Sequence, residues 1–229
     1  MTPLAGCTFA VLDFETTGVD PATCMPVSAC VVTARLTKRG TIVPVVAFNE
    51  IINPGIPIPE GATKIHGITD ERAATGMPPD EAAARIAGLL AGVDLVVAHN
   101  LPYDGTILHR LAPDWFPGAF ACTLVLANIV DKYARGKKLS DVCGRRGITF
   151  AAHSAVGDCV AVAELLPHLI GEGMKAGSVP MLQTVGDLTD WTVKAGLERD
   201  ADYARYCARE GKPTPVGYWE SFRTAITPF

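Results

Sequence analysis

Over the first fifty positions apolar residues recur at a spacing of two, and further along at three and four, so the chain reads as strands followed by helices. Phe9 to Glu15, Val27 to Leu36 and Ile42 to Ile52 are rich in β-branched residues. They are bounded by Pro21 and Pro26, by Lys38-Arg39-Gly40 and by Asn53-Pro54-Gly55. Three strands joined by short turns, hence antiparallel neighbours, are predicted. Pro54, Pro57 and Pro59 then impose an extended loop ending in a short helix, Glu60 to His66. After Pro78-Pro79, the spacing of Ala83, Ile86, Ala87 and Leu90 predicts a helix over 80–90. A short buried strand is expected at Asp94 to Ala98, a helix at Tyr103 to Leu111 and a last strand at Phe120 to Thr123, followed by helices at Leu139 to Arg146 and Ser154 to Ile170. A meander followed by βα units implies an α/β fold: a mixed sheet with helices on its faces.

From Gly171 to Gly177 the chain becomes glycine-rich, which suggests a domain over 1–172 and a helical appendage over 173–229. Leu197, Ala201, Ala204 and Ala208 recur there at helical spacing and predict an amphipathic helix. Trp191, Tyr218, Trp219 and Phe222 are unlike a flexible tether, so the appendage should pack on the core or dock a partner.

Composition narrows the function classes. Apolar residues make up 48% and charged residues 19%, which excludes a disordered chain. The longest apolar stretch, Ile86 to Val97, is broken by Asp94 and falls short of the roughly 20 residues that cross a bilayer. Leu4-Ala5-Gly6-Cys7 has the form of a lipoprotein cleavage box but lacks the basic and apolar segments that must precede one. Seven cysteines without a Cys-x-x-Cys pair suggest reduced thiols filling the core of a cytoplasmic protein. With 20 Lys and Arg against 24 Asp and Glu, the formal charge of −4 argues against binding nucleic acid by bulk electrostatics, so any such contact must be local. The basic cluster Lys132, Arg135, Lys137, Lys138, Arg145 and Arg146 is either a phosphate contact or a solvated helix face.

The chemistry is carried by acids. In Val11-Leu12-Asp13-Phe14-Glu15 the period of two puts Asp13 and Glu15 on one strand face. Asp104 heads the stripe Ile107, Leu108 and Leu111 of its own helix, and Asp158 heads Val162, Leu165 and Leu169, so both carboxylates point to the core side. Four carboxylates within about 5 Å would repel by about 3 kcal/mol per pair at an effective dielectric near 20. Six pairs reach roughly 20 kcal/mol, above the 5–15 kcal/mol stability of a typical domain. They must be partly protonated or neutralised by cations, and an all-oxygen ligand set selects Mg²⁺, with Mn²⁺ a substitute. His153, five residues before Asp158, is placed at the rim as a base for an attacking water.

These blocks resemble the DEDD exonuclease superfamily in its histidine branch, which includes the proofreading epsilon subunit and RNase T. The resemblance rests on Phe9-Ala-Val-Leu-Asp13-Phe-Glu15-Thr-Thr-Gly18, Ile58-Pro-Glu-Gly-Ala-Thr-Lys-Ile-His66-Gly-Ile-Thr69, Ala98-His-Asn-Leu-Pro-Tyr-Asp104 and His153-Ser-Ala-Val-Gly-Asp158, and covers about residues 7–170. It implies a ribonuclease-H-like fold and two divalent metal ions, Mg²⁺ or Mn²⁺, held by Asp13, Glu15, Asp104 and Asp158. It further implies His153 as general base, with Thr16, Thr17, His66 and Asn100 against the terminal nucleotide. Tyr103, where phenylalanine is commoner, and Gly105-Thr106 are departures that remove no ligand. The implied activity is 3′-to-5′ hydrolysis of single-stranded ends, DNA ahead of RNA, releasing nucleoside 5′-monophosphates, with a DNA polymerase or repair complex as a candidate partner. The alternatives are an exoribonuclease of the RNase T or oligoribonuclease kind and a non-catalytic polymerase-docking subunit.

Overall fold

The computed structural model describes residues 1–37, 43–115, 117–214 and 217–226. Strands β1 (Thr8–Thr16), β2 (Pro26–Arg35) and β3 (Val45–Ile51) form the expected antiparallel meander. Ile42 and the Lys38-Arg39-Gly40 turn lie outside the described residues. Strands β4 (Leu95–Ala98) and β5 (Phe120–Cys122) run parallel to β1, giving the order β3-β2-β1-β4-β5.

β1 is central and covered on both faces, so its alternating side chains feed two different cores. Phe9 and Val11 pack under α7 (Ala155–Ala176) with Val162, Leu165 and Leu169. Ala10, Leu12 and Phe14 pack under α3 (Pro79–Leu90) and α4 (Leu101–Leu111) with Ile86, Leu101 and Leu108. Among the smaller helices, α1 (Glu60–His66) and α2 (Asp70–Ala73) follow β3, and α5 (Thr123–Val130) and α6 (Leu139–Gly144) follow β5. All seven cysteines are buried as free thiols: Cys7 just before β1, Cys30 and Cys122 on strands, Cys24 in the turn after β1, and one each on α6, α7 and α8 (Val185–Arg209).

Four sequence expectations are corrected. Thr123 starts α5 instead of ending β5; that helix, Thr-Leu-Val-Leu-Ala-Asn-Ile-Val, is too uniformly apolar to show a helical period. α7 does not stop at Ile170 but continues through the glycines to Ala176, where Gly177 at φ 70° closes it. Gly173 belongs in this helix because a Cβ there would lie 2.4 Å from Val179 and 3.0 Å from Val130. α8 is 25 residues long, and its buried face is Val185, Leu188, Thr192, Ala195, Gly196 and Cys207, while Ala201 and Ala208 of the expected stripe are exposed. Finally, half of the basic cluster turns inward. Arg145 and Arg146 pair with Asp131, Arg146 also pairs with Glu172, and the Lys137 ammonium donates to the carbonyls of Asp131 and Ala134.

The C-terminal helices pack on the core. Trp219 and Phe222 of α9 (Tyr218–Ile226) are 1% exposed, and their rings meet each other and Phe120. The closeness depends on two glycines, since a Cβ on Gly196 would fall 2.3 Å from the Trp219 ring and one on Gly105 would fall 2.4 Å from the Phe222 ring. Deleting two such rings costs about 6–10 kcal/mol at 3–5 kcal/mol each, comparable to a whole domain's stability. A chain ending at Gly177, which keeps α7 and its cap, is therefore expected to lose its cooperative thermal transition, followed by circular dichroism; melting at the full-length temperature would contradict this packing account.

Candidate active site

The site forms where β1, β4 and β5 end side by side. Asp13 and Glu15 leave β1 on the face covered by α7, and the first turn of α7 brings Asp158 to them. One carboxylate oxygen from each of these three residues lies within 4.8 Å of the other two, and all three side chains are half-buried. Asp104, in the first turn of α4, is 5% exposed and approaches from the other side of the strand, where it accepts a hydrogen bond from the Phe14 N–H at 3.2 Å.

Burial raises all four, and repulsion from neighbouring carboxylates adds to it at Asp13, Glu15 and Asp104. Burial, then the charges of Asp104, Asp158 and Glu15, hold the Asp13 carboxyl well above its ordinary range. Burial and Asp158 push Glu15 up to about 7. Asp104 is pushed up to about 7 by burial, against the lowering effect of the Phe14 N–H. Asp158 rises to about 6 through burial, partly opposed by the charge and backbone N–H of His153. Such a cluster is under-neutralised as it stands, and its all-oxygen donors fit a hard divalent cation.

His153 is exposed at the rim, with its backbone at φ 62°, the left-handed region that histidine tolerates better than most residues. The loop before it lies so close to α7 that a Cβ on Gly157 would meet the Ala151 carbonyl oxygen at 2.2 Å. Gly157 thus lets the loop carrying His153 settle against the helix carrying Asp158.

Beside the carboxylates opens a cleft of about 730 Å³. Thr16, Thr17, His66 and Asn100 all line it. The two threonines are already engaged. Thr16 Oγ1 bonds the Gly18 carbonyl at 2.7 Å and the Tyr103 hydroxyl at 2.6 Å, and the nearly buried Thr17 hydroxyl accepts from the Met25 N–H. His66 Nδ1 accepts from the Ile68 N–H at 3.1 Å, so its proton sits on Nε2, which is buried on the side of the Thr16 backbone. Burial holds this imidazole below its usual range, with the Thr16 backbone partly offsetting the effect. Asn100 caps α4 without a side-chain cap bond, leaving its amide for the cleft. Tyr103, noted in the sequence only as a departure, is a wall of the cleft, and its hydroxyl lies 2.6 Å from the Gly18 carbonyl, so the two hydroxyl protons of Tyr103 and Thr16 are shared among three contacts. Val19 and Ile65, both largely exposed, add apolar surface that no period or motif had marked.

The RNase T exonuclease family model matches residues 10–166, which spans all four carboxylates and His153. The chain belongs to this exonuclease family, within the DEDD superfamily. It is 36% identical over 183 residues, 76% of its length, to a DNA polymerase III subunit epsilon-like protein of Rhodobacter capsulatus. It is 27% identical over 170 residues to the DNA polymerase III subunit epsilon of Aquifex aeolicus, covering 72% of this chain and 81% of that one. The chain spans about a quarter of the Rhodobacter protein's length, 26%. Among solved structures, exonuclease X in complex with 5′ overhanging duplex DNA superposes with a TM-score of 0.57 at 23% identity, over 80% of this chain and 99% of that one. E. coli exonuclease I in complex with a dT13 oligonucleotide gives 0.59 at 19% identity, over 75% and 42%. At such identities these structures bear on the fold, which is the ribonuclease-H-like one expected from the sequence.

Raised carboxyl pKa values have a definite sign in stability. The unfolded chain ionises near pH 4, the folded site only towards pH 6–7, so without a cation the folded state loses stability as pH rises through that window. Asp131 acts oppositely: burial raises its pKa, but Arg146 and Arg145 more than offset this, so its contribution is complete above pH 4 and does not confound the window. In EDTA the melting temperature is expected to be higher at about pH 5 than at about pH 8, and Mg²⁺ or Mn²⁺ should raise it chiefly at the higher pH. Equal melting temperatures across the window, with no response to metal, would count against the clustered carboxylates.

Proposed function

We propose that the chain is a metal-dependent 3′-to-5′ exonuclease of the histidine branch, hydrolysing the last phosphodiester of single-stranded DNA to release nucleoside 5′-monophosphates. The observation that carries this reading is the convergence of Asp13, Glu15 and Asp158 within 4.8 Å beside a cleft of about 730 Å³. In this reading Asp104 joins those three as a metal ligand, and residues 173–229 support a nuclease domain over 1–172. Two divalent ions, Mg²⁺ or Mn²⁺, would supply a water of lowered pKa and charge neutralisation at the phosphate.

The chain's own groups do the rest. Exposed at the rim, His153 takes the proton of the attacking water. The Nε2–H of His66 and the amide of Asn100 offer donors to the terminal nucleotide, with Thr16 and Thr17 shaping the floor beside them. Tyr103, Val19 and Ile65 give its base apolar surface. The epsilon-like relative, named for a DNA polymerase III subunit, supports a DNA substrate and a DNA polymerase as partner. No helix among the described residues is long and apolar enough to cross a membrane. A purely docking role is disfavoured, since a scaffold gains nothing from carboxylates held at raised pKa by burial and by one another.

End-labelled single-stranded DNA and RNA of matched sequence, incubated with Mg²⁺ or Mn²⁺, provide the test. Mononucleotides should appear from the 3′ end of DNA first, and EDTA should stop the reaction; endonucleolytic products or EDTA-resistant cleavage would refute it. Asp13→Asn and Asp158→Asn should abolish turnover and weaken metal binding. His153→Asn, which tolerates the same left-handed backbone, should slow turnover by about 10²- to 10⁴-fold while calorimetry finds metal affinity retained.

A further inference from the structure

A second cleft, of about 940 Å³, lies between α5 and the C-terminal half of α8. Its place relative to the catalytic edge follows from how α8 runs. Thr189, early in α8, exchanges hydrogen bonds with Phe120 at the start of β5. Arg199, ten residues later, acts electrostatically on His99 and on Cys122 at the end of β5. α8 therefore runs along β5 in the strand's own direction, and Asp200–Arg209 continue about 15 Å past the strand end at 1.5 Å per residue. That overhang stands on the edge where β1 delivers Asp13 and Glu15, and from there the cleft extends back to Lys132 and to Ser178 at the other end of α7 from Asp158, so a strand reaching Lys132 must span several nucleotides.

The cleft presents aromatic faces and two cations outside the ion pairs of the described residues, one of which, Lys132, lies over the Tyr133 ring at 5.7 Å. Tyr203 and Tyr218 line it and are 54% and 50% exposed. Tyr203 is stacked on Tyr206 with centroids 6.2 Å apart, while Arg209 and Lys212 lie over the Tyr206 ring. Lys132 and Arg199 also line it, and neither has an ion-pair partner among the described residues. Of the acids there, Asp202 is paired with Arg205, while Asp200 accepts from the Trp219 N–H at 2.7 Å and keeps its charge, so Glu198 and Asp200 balance Lys132 and Arg199 and the stacking faces carry most of the recognition.

Exposed tyrosine faces interleaved with cations are the surface that single-stranded nucleic acid binds, bases on rings and phosphates on cations, without regard to sequence. We propose that this cleft is a second subsite for the single strand, holding nucleotides upstream of the one being removed. Bases stack on Tyr203 and Tyr218, and phosphates lie against Lys132 and Arg199. The inference rests on the nuclease reading above and extends it from the terminal nucleotide to the strand behind it.

The test uses the full chain with two substrates, a thymidine dinucleotide that fills only the catalytic cleft and an oligothymidylate of about 12 nucleotides. Tyr203→Ala combined with Tyr218→Ala should raise KM for the oligonucleotide about tenfold or more, leaving kcat and dinucleotide turnover unchanged. Lys132→Gln with Arg199→Gln should do the same and flatten the salt dependence of binding. An unchanged oligonucleotide KM, with both substrates still degraded, overturns the subsite and spares the nuclease. If the unmodified protein degrades neither substrate, the nuclease reading itself fails. Should a variant fold poorly, photo-cross-linking of the unmodified chain to 5-iododeoxyuridine oligonucleotides decides. An adduct on Tyr203 or Tyr218 supports the proposal, and adducts confined to the catalytic cleft overturn it.

Discussion

The repulsion among carboxylates at the end of a buried strand is the interaction on which the rest of the molecule depends. Asp13 is held far above its ordinary pKa by burial and by three acidic neighbours, so the local structure carries an electrostatic cost that the surrounding packing must contain. Two cores contain it, one on each face of β1, with Phe9 and Val11 feeding one and Leu12 and Phe14 the other. A strand covered on both faces has little freedom to shift register, because a slip of one residue would exchange the two sets of side chains.

The helices that bring the other acids are fixed by contacts as close as those within the strand. Gly157 allows the loop bearing His153 to rest on α7 one residue before Asp158. Gly105 allows Phe222 to rest on α4 one residue after Asp104. Each acid thus adjoins a position where a methyl group would not fit, and the C-terminal helix acts as a wedge behind one of the site's walls. The Asp131 node does similar work at the far end of α7, tying Arg146 and Glu172 together.

Much of this was legible in the sequence. The meander, the βα order and the inward acids follow from periods of two and of three to four, and the four ordered blocks gave the superfamily before any coordinates. The missing parts have physical causes. α5 is apolar on every side and so carries no period, and Gly171 and Gly173 looked like breakers because the close approach of Val179 and Val130 is a tertiary fact. In α8 a run of alanines imitated a buried stripe, whereas the face that packs includes Thr192 and Gly196, residue types that hydrophobic spacing does not count. The basic cluster shows the same limit, since charge along a chain does not tell whether Arg146 meets solvent, phosphate or Asp131. Within the site, the acids and His153 were visible as motif residues, but the apolar lip of Val19 and Ile65 was not, because exposed hydrophobic residues are ordinary in any sequence.

The seven buried thiols give this architecture an internal clock. A thiol reagent reaches a cysteine only when the element around it opens, and here the cysteines mark separate layers: Cys7 at the entry to β1, Cys30 and Cys122 on the sheet, Cys143 and Cys159 on the helices of one face, Cys24 in the turn beyond β1, and Cys207 far along α8. Native-state labelling would therefore resolve, cysteine by cysteine, the order in which these layers breathe. Because Cys159 sits next to Asp158, its labelling rate reads the opening of α7 at the carboxylate cluster, separately from that of the α8 overhang read at Cys207.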